Sequence, residues 1–272
     1  MVAESRQATT DIECPLYPAT LAPDAYYQGK PVINTMSVWS AVPRLMYQLE
    51  AGLTERIKEN LLPVFAPLLS LPTTRSVLEI ASGEGSHSLV YSRAFPDVTF
   101  QPTECDKFNI KRIDRTCQEV AHARRSAQRG GVRQALELDV AREDSWQRFV
   151  ETLAAEPGEQ QFDLIIGHNF LHMIPFPQGA ERIFRNLLKL ALIEPKHGQA
   201  AFYGPFKHDR GFFSQADEEF DREISSRPSS HVLGLRSIQA IARIAADAGW
   251  ELAREIPMPR GNWVLLFKVK SV

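Results

Sequence analysis

The sequence predicts a doubly wound α/β fold, in which a mostly parallel seven-stranded sheet has helices on both faces and an antiparallel C-terminal hairpin. Short apolar runs typical of buried strands alternate with longer segments of helical periodicity. The first of these runs leads into a glycine-containing turn, Ser82 to Gly85, which a helix-competent segment follows. The last two runs are separated only by a short proline-rich turn, which favours a hairpin over a helical crossover.

The elements follow in order along the chain. Residues 1 to about 35 contain Pro15, Pro18, Pro23 and Pro31 and are predicted to be irregular, whereas residues 38–71 repeat apolar side chains at helical spacing. We divide the chain into an N-terminal extension, residues 1–54, and an α/β domain, residues 55–272. The predicted strands are Val77–Ile80, Val98–Gln101, Gln134–Leu138, Phe162–Gly167, Gln199–Tyr203, Glu251–Ile256 and Trp263–Val269. The predicted helices are Ser86–Phe95, Lys107–Gln128, Glu143–Ala155, Gly179–Ile193, Gln215–Ser225 and Leu235–Ala248.

Composition narrows the classes of partner. The chain has 272 residues, of which 44% are hydrophobic and 24% charged, and its formal net charge of −2 provides no overall basic field for nucleic acid. No apolar stretch reaches membrane-spanning length and no secretory leader is evident, so we expect a cytoplasmic protein. The three cysteines lack zinc-site spacing, and no third ligand accompanies His168 and His172, so no metal site is expected.

The turn after the first strand carries the strongest signal. Gly83 and Gly85 allow a tight turn and a close backbone approach, and the next helix offers free N–H groups. Ser88 replaces the third glycine of the dinucleotide fingerprint, and no Gly-Lys-Ser/Thr follows, which disfavours nicotinamide, flavin and P-loop nucleotide sites. A carboxylate followed by G-x-G resembles motif I of the Rossmann-like methyltransferases that use S-adenosylmethionine (SAM). The cofactor-binding positions implied here are Glu79, Ala81, Gly83, Gly85 and His87.

Acidic residues follow the next two strands, at the edge where ligands of open α/β sheets bind. Glu104 lies nineteen positions after Gly85 and is suited to holding a ribose diol, while Asp106 fits a helix N-cap better. Asp139 and Val140 follow the third strand. They are predicted either to bind an adenine ring or to begin the next helix, with Asp139 as its N-cap.

The fourth and fifth strands are followed by candidate residues for the acceptor side. Asn169 is predicted to bind donor or acceptor, and His172 to act as a general base or, equally, to be a hydrogen-bonded half-buried histidine. Tyr203 and Phe206 flank a Gly-Pro turn and either wall an acceptor site or belong to the core. His208 in the following loop is a second candidate base.

An ordered set of motifs resembles the methyltransferase-like 26 family. The matching segments are Leu78 to His87, Phe100 to Glu104, Leu138 to Val140, Asn169 to Pro175, Tyr203 to Phe206, Phe220-Asp221, Gly234 to Ser237 and Met258 to Asn262. The chain departs from the family pattern at Ile57, Ser237 and Gly261, and it lacks a Ser-Asn pair before Phe220. These departures lie outside the cofactor-like loops, so we expect the cofactor side to be kept better than the acceptor side.

The resemblance implies a SAM-dependent methyltransferase that transfers a methyl group by SN2 displacement to a small molecule, of the secondary-metabolite type. The extension, with Tyr26, Tyr27, Trp39 and Tyr47, is predicted to form a lid over the acceptor or a homodimer contact, although core packing also explains Trp39 and Tyr47. One alternative is a protein that binds SAM without methyl transfer and promotes a cyclisation or pericyclic reaction. Another is a non-catalytic binding subunit.

Overall fold

The computed structural model describes residues 52–122, 130–156, 158, 160–226 and 233–270. Trp39, Tyr47 and the rest of the predicted extension before residue 52 lie outside these residues. The helices are α1 (Leu62–Leu69, directly after a π-helical segment, Ile57–Leu61), α2 (Ser86–Ala94), α3 (Lys107–His122), α4 (Glu143–Ala155), α5 (Gln178–Lys189), α6 (Gln215–Ser225) and α7 (Ile238–Asp247). The strands are β1 (Ser76–Ile80), β2 (Thr99–Glu104), β3 (Gly131–Val132), β4 (Leu136–Glu137), β5 (Leu164–His168), β6 (Gln199–Lys207), β7 (Arg236–Ser237), β8 (Trp250–Pro257) and β9 (Asn262–Val269).

These strands form one sheet in the order β3-β2-β1-β5-β6-β9-β8. The pairs β1–β2, β1–β5 and β5–β6 are parallel, and β9 runs antiparallel between β6 and β8. The predicted fold class, with its antiparallel C-terminal hairpin, is therefore confirmed. Because the chain order reverses between β2-β1 and β5-β6, the carboxyl ends of β1 and β5 flank the crevice in which ligands of open α/β sheets bind.

The third predicted strand, Gln134–Leu138, is reduced to the two-residue β4, and the short strand β3 lies before it; both pair with β2. Side chains bind the backbone between β3 and β4. Gln101 Nε2 donates to the Gln134 carbonyl at 2.8 Å, and Asp114 Oδ1 accepts the Ala135 N–H at 2.8 Å. These bonds replace the ladder at the start of the predicted strand. The short β7, which pairs with β6, was not predicted.

Each face of the sheet buries its own apolar cluster, as alternation along β1 requires. Leu78 and Ile80 point into a cluster of aliphatic and aromatic side chains, whereas Val77 packs on the opposite face beneath α1 and α2. Glu79 points the same way as Val77 by this alternation and is only 1% exposed. A carboxylate thus lies buried on the face of the sheet that packs against α1 and α2.

No helix among the described residues is both long enough and apolar enough to cross a membrane.

Candidate functional site

In the β1–α2 turn, every second residue from Ala81 to Gly85 has a left-handed backbone. Ala81, Gly83 and Gly85 have φ values of +54°, +56° and +78°. A Cβ atom at Gly85 would lie 3.2 Å from the Ile113 side chain of α3, so this position needs glycine for two separate reasons. Gly85 is also the N-cap of α2 and has no side chain to cap the helix. The first N–H groups of α2 therefore point towards the crevice without a capping side chain.

Glu104 at the end of β2 is held against this turn. Its Oε2 accepts the Gly83 N–H at 2.8 Å, and its Oε1 accepts the N–H groups of Cys105 at 2.8 Å and Asp106 at 3.2 Å. Burial raises the pKa of this carboxyl to about 7, although the three backbone donors act in the opposite direction. The structure thus brings the predicted ribose-binding acid into contact with the predicted glycine turn.

Asp139 and Val140 follow β4 at the same edge. Asp139 Oδ1 accepts the Ala141 N–H at 2.9 Å, and burial raises the pKa of this carboxyl. The Val140 side chain is buried, and its carbonyl accepts the Trp146 indole N–H at 3.2 Å. Because α4 begins only at Glu143, Asp139 stabilises the turn before the helix and is not its N-cap.

The loop after β5 begins with Asn169 in the left-handed region, at φ +55°, and its N–H donates to the Tyr203 carbonyl at 2.8 Å. His172 lies deeper. It is 4% exposed, its ring lies edge-on to Phe220 with centroids 5.9 Å apart, and its carbonyl accepts the Gly234 N–H at 3.0 Å. Burial, assisted by the positive charge of Arg236, lowers the pKa of His172 to about 3.

The loop after β5 is held by Arg236 of β7. Its guanidinium donates to the Leu171 carbonyl at 3.2 Å and the Ile174 carbonyl at 2.8 Å, and lies 5.0 Å from the centre of the Phe176 ring. This residue belongs to a motif that resembles the methyltransferase-like 26 family, and here it fixes the loop that carries His172.

The predicted turn at Gly204-Pro205 is wrong, because β6 continues through both residues to Lys207 and pairs there with β9. The flanking Tyr203 and Phe206 therefore lie on one strand, and they differ in exposure. Phe206 is 1% exposed in the core, whereas Tyr203 is half-buried. His208 follows β6, with its Nδ1 3.1 Å from Gln239 Nε2 and its ring 4.0 Å from that of Phe213. Phe213 in turn lies 4.8 Å from the Trp263 ring, which places an aromatic group beside His208.

Glu79 and His87, two of the residues predicted to bind the cofactor, form a group with His168 that joins β1, α2 and β5, and the sequence did not predict this grouping. Glu79 Oε1 lies 3.5 Å from His87 Nδ1 and 3.3 Å from His168 Nδ1, while Glu79 Oε2 accepts the Ser88 hydroxyl at 2.5 Å. The two imidazoles stack, with centroids 3.8 Å apart and planes inclined by 4°. The Tyr91 hydroxyl lies 3.2 Å from His168 Nε2.

Burial sets the protonation of this group. It raises the pKa of Glu79 and lowers the pKa of both His87 and His168 to about 3. Strand alternation was the signal that could have found it. Ile166 pairs with Glu79, so His168, two residues further along β5, faces the same side of the sheet.

The crevice, the glycine turn and the acid at the end of β2 lie at one edge of a doubly wound α/β sheet. Residues 49–269 match the family described as a protein of unknown function, DUF938, and the chain belongs to that family. The match to the methyltransferase-like 26 family remains a resemblance.

Solved structures share this fold at low sequence identity. CalO1, a methyltransferase of calicheamicin biosynthesis in its SAH-bound form, is 16% identical with a TM-score of 0.56 over 87% of this chain and 61% of that one. An O-methyltransferase family protein from Burkholderia thailandensis is 15% identical, with a TM-score of 0.57, over 86% and 62%. An O-methyltransferase family 2 protein from Planctomyces limnophilus, in complex with apigenin, is 17% identical, with a TM-score of 0.57, over 82% and 61%. The chain thus spans about three-fifths of the length of these proteins.

Proposed function

We propose that the protein is a SAM-dependent methyltransferase that acts on a small-molecule acceptor. The bond from the Gly83 N–H to Glu104 carries the proposal, because it places a carboxylate with acceptor capacity beside a left-handed glycine turn and a helix N-terminus. The fold is shared with CalO1 in its SAH-bound form, which supports the same class of cofactor.

The residues present fit such a cofactor. Glu104 would accept the ribose hydroxyls, and the N–H groups that begin α2 would face the carboxylate of the methionine portion. Asp139 and Val140 would contact the adenine, while Ala81 and Asn169 line the crevice at the ends of β1 and β5. When bound, SAM would supply a methyl group activated by its sulfonium, and the acceptor nucleophile would bond to the methyl carbon as the carbon–sulfur bond breaks and S-adenosylhomocysteine (SAH) leaves.

The protein's own contribution is then to align the acceptor, exclude water and accept a proton. Of the two candidate bases we favour His208, because it is half-buried beside the Phe213 ring, whereas His172 is buried and has a pKa far below neutrality. We assign His172 to positioning the loop after β5. The Phe213–Trp263 pair beside His208 would contact a flat or apolar acceptor. Tyr203 packs against the apolar cluster of the opposite sheet face, so it would not share this contact.

Calorimetric titration of the full chain with SAM and SAH, with NAD as the control ligand, tests the cofactor. We expect micromolar binding of SAM and SAH, no binding of NAD, and at least tenfold weaker SAH binding by Glu104→Ala. Glu137→Ala is a matched control, because Glu137 is the exposed cross-strand partner of Glu104. The proposal fails if neither SAM nor SAH binds.

A screen of small phenols and other hydroxylated acceptors, with SAH formation as the readout, then tests the reaction. One SAH per methylated product is expected. Tight SAM binding without product formation would instead favour the alternative in which the fold binds SAM and promotes a rearrangement.

A further inference from the structure

The described residues contain a compact group of metal-ligating side chains that the proposed transfer does not use. Glu79, His87 and His168 each offer one ligand atom, and all three atoms lie within 4.8 Å of one another. They come from β1, the first turn of α2 and the end of β5, so the fold brings them together from positions up to 89 residues apart.

Two atoms of this group point at each other without hydrogen-bond partners. Glu79 Oε1 and His168 Nδ1 are fully buried and form no hydrogen bond, although only 3.3 Å separates them. Buried acceptors and donors are almost always satisfied, because an orphaned one forfeits its solvation. Their neighbours are already engaged, since Ser88 bonds Glu79 Oε2 and Tyr91 lies within hydrogen-bond distance of His168 Nε2.

We propose that Glu79, His87 and His168 form a binding site for a divalent transition-metal ion of the zinc class. One carboxylate with two imidazoles is a donor set that suits Zn²⁺ and its neighbours over Mg²⁺ or Ca²⁺, which prefer oxygen ligands alone. Tetrahedral bonds of about 2.0–2.1 Å place ligand atoms about 3.3–3.4 Å apart. The observed separations from Glu79 Oε1, 3.3 Å and 3.5 Å, match that spacing.

Binding requires one movement. An ion lies in the plane of each imidazole that binds it, and the two stacked rings are inclined by only 4°. The His168 side chain is 1% exposed and adjoins Tyr91, whereas the His87 side chain is 16% exposed. His87 is therefore the ring that turns, and its exposed edge is the route by which the ion enters. Three protein ligands leave a fourth position for water.

Zinc content of the untagged full chain, measured by elemental mass spectrometry after chelator treatment and reloading with ZnSO₄, tests the site. We expect about one zinc per chain, and its loss in Glu79→Gln and in His168→Phe. His197→Gln is the matched control, because exposed His197 also lies beside two carboxylates, 3.2 Å from Asp163 and 2.8 Å from Glu194. The proposal would be overturned if the His197→Gln variant lost its zinc, or if the wild-type chain retained no zinc.

A measurement on the wild type alone guards against variants that do not fold. Zinc should raise the melting temperature and EDTA should reverse the rise, because the ion joins three elements. Co²⁺ in its place should give the visible absorption of a tetrahedral site. Neither signal depends on SAM, so the metal site and the methyltransferase proposal can fail separately. Absence of both signals would mean that the three groups only share protons, and the metal site would be withdrawn.

Discussion

The Glu104 carboxylate at the end of β2 accepts the Gly83 N–H at 2.8 Å, so the second strand holds the glycine turn of the first. The backbone N–H groups of Cys105 and Asp106 also donate to this carboxylate. Even so, burial raises the pKa of Glu104 to about 7, which puts the ionisation of this proposed ribose acceptor close to neutral pH.

The first prediction is that SAH affinity depends on pH through Glu104. The ionised carboxylate accepts more hydrogen bonds than the acid, so SAH binding should strengthen as pH rises through about 7, by up to about tenfold per pH unit below it. Calorimetry between pH 5.5 and 8.5 measures this effect, and Glu104→Gln should lose it.

Comparing Glu104→Gln with the wild type cancels the effect of SAH's own ionisation, because both proteins bind the same ligand. Glu137→Gln should keep the wild-type profile. Parallel profiles for wild type and Glu104→Gln would exclude Glu104 as the titrating group. Rising pH should have the opposite effect on folding stability. Because the pKa of Glu104 is raised in the folded state, its contribution to stability is fully present below the unfolded pKa and is lost as pH rises through about 7.

The sequence was sufficient for the fold class with its antiparallel C-terminal hairpin and for placing Glu104 at the ligand-binding edge of the sheet, because hydrophobic period and loop chemistry indicate both locally. It was not sufficient where side chains bind backbone from a distance. Asp114 and Gln101, from other elements, bind the backbone of the first two residues of the third predicted strand and shorten it. The partnership of Glu79 with His168 depends on the register of β1 against β5, which no local pattern specifies.

The second prediction concerns His172, whose pKa is lowered to about 3 by burial and by Arg236. A histidine that is neutral when folded stabilises fully above its unfolded pKa of about 6.5, and that stabilisation is lost as pH falls towards 3. His172→Gln should therefore reduce the pH dependence of the unfolding free energy by about 1.4 kcal/mol per pH unit between pH 6 and 4.

Urea unfolding at each pH measures this slope for the wild type and for His172→Gln. Turnover by the His172→Gln and His208→Gln variants separates the two candidate bases. Under our assignment, His208→Gln lowers kcat more than His172→Gln once both proteins are folded. A larger kcat loss for His172→Gln would restore His172 as the base.

The third prediction concerns Arg236, which donates to the carbonyls of Leu171 and Ile174 from a largely buried position. Arg236→Met should leave both carbonyls without a donor and lower the unfolding free energy by about 2–3 kcal/mol. Arg236→Lys should recover only part of the lost unfolding free energy, because one ammonium cannot reproduce the paired hydrogen bonds of the planar guanidinium.

Arg243→Met is the comparison for Arg236, because Arg243 also pairs with an acid, Asp209 at 2.9 Å, but on the surface. Its melting temperature should stay close to that of the wild type. Equal melting temperatures for the Arg236→Met and Arg243→Met variants would show that the β5 loop does not depend on Arg236.

The last prediction contrasts two residues of the β1–α2 turn that have left-handed backbone. Ala81 has φ +54°, a region in which a Cβ costs about 1–2 kcal/mol, so Ala81→Gly should relieve strain and raise stability by up to about 1 kcal/mol. Gly85→Ala does the reverse, because φ is +78° and the new Cβ would lie 3.2 Å from Ile113. It should lower stability by about 1–2 kcal/mol and weaken SAH binding. Paired urea unfolding and SAH titration measure both effects. If Ala81→Gly destabilises the protein while leaving SAH affinity unchanged, Ala81 stabilises the fold by packing, and the strain assigned to its backbone is wrong.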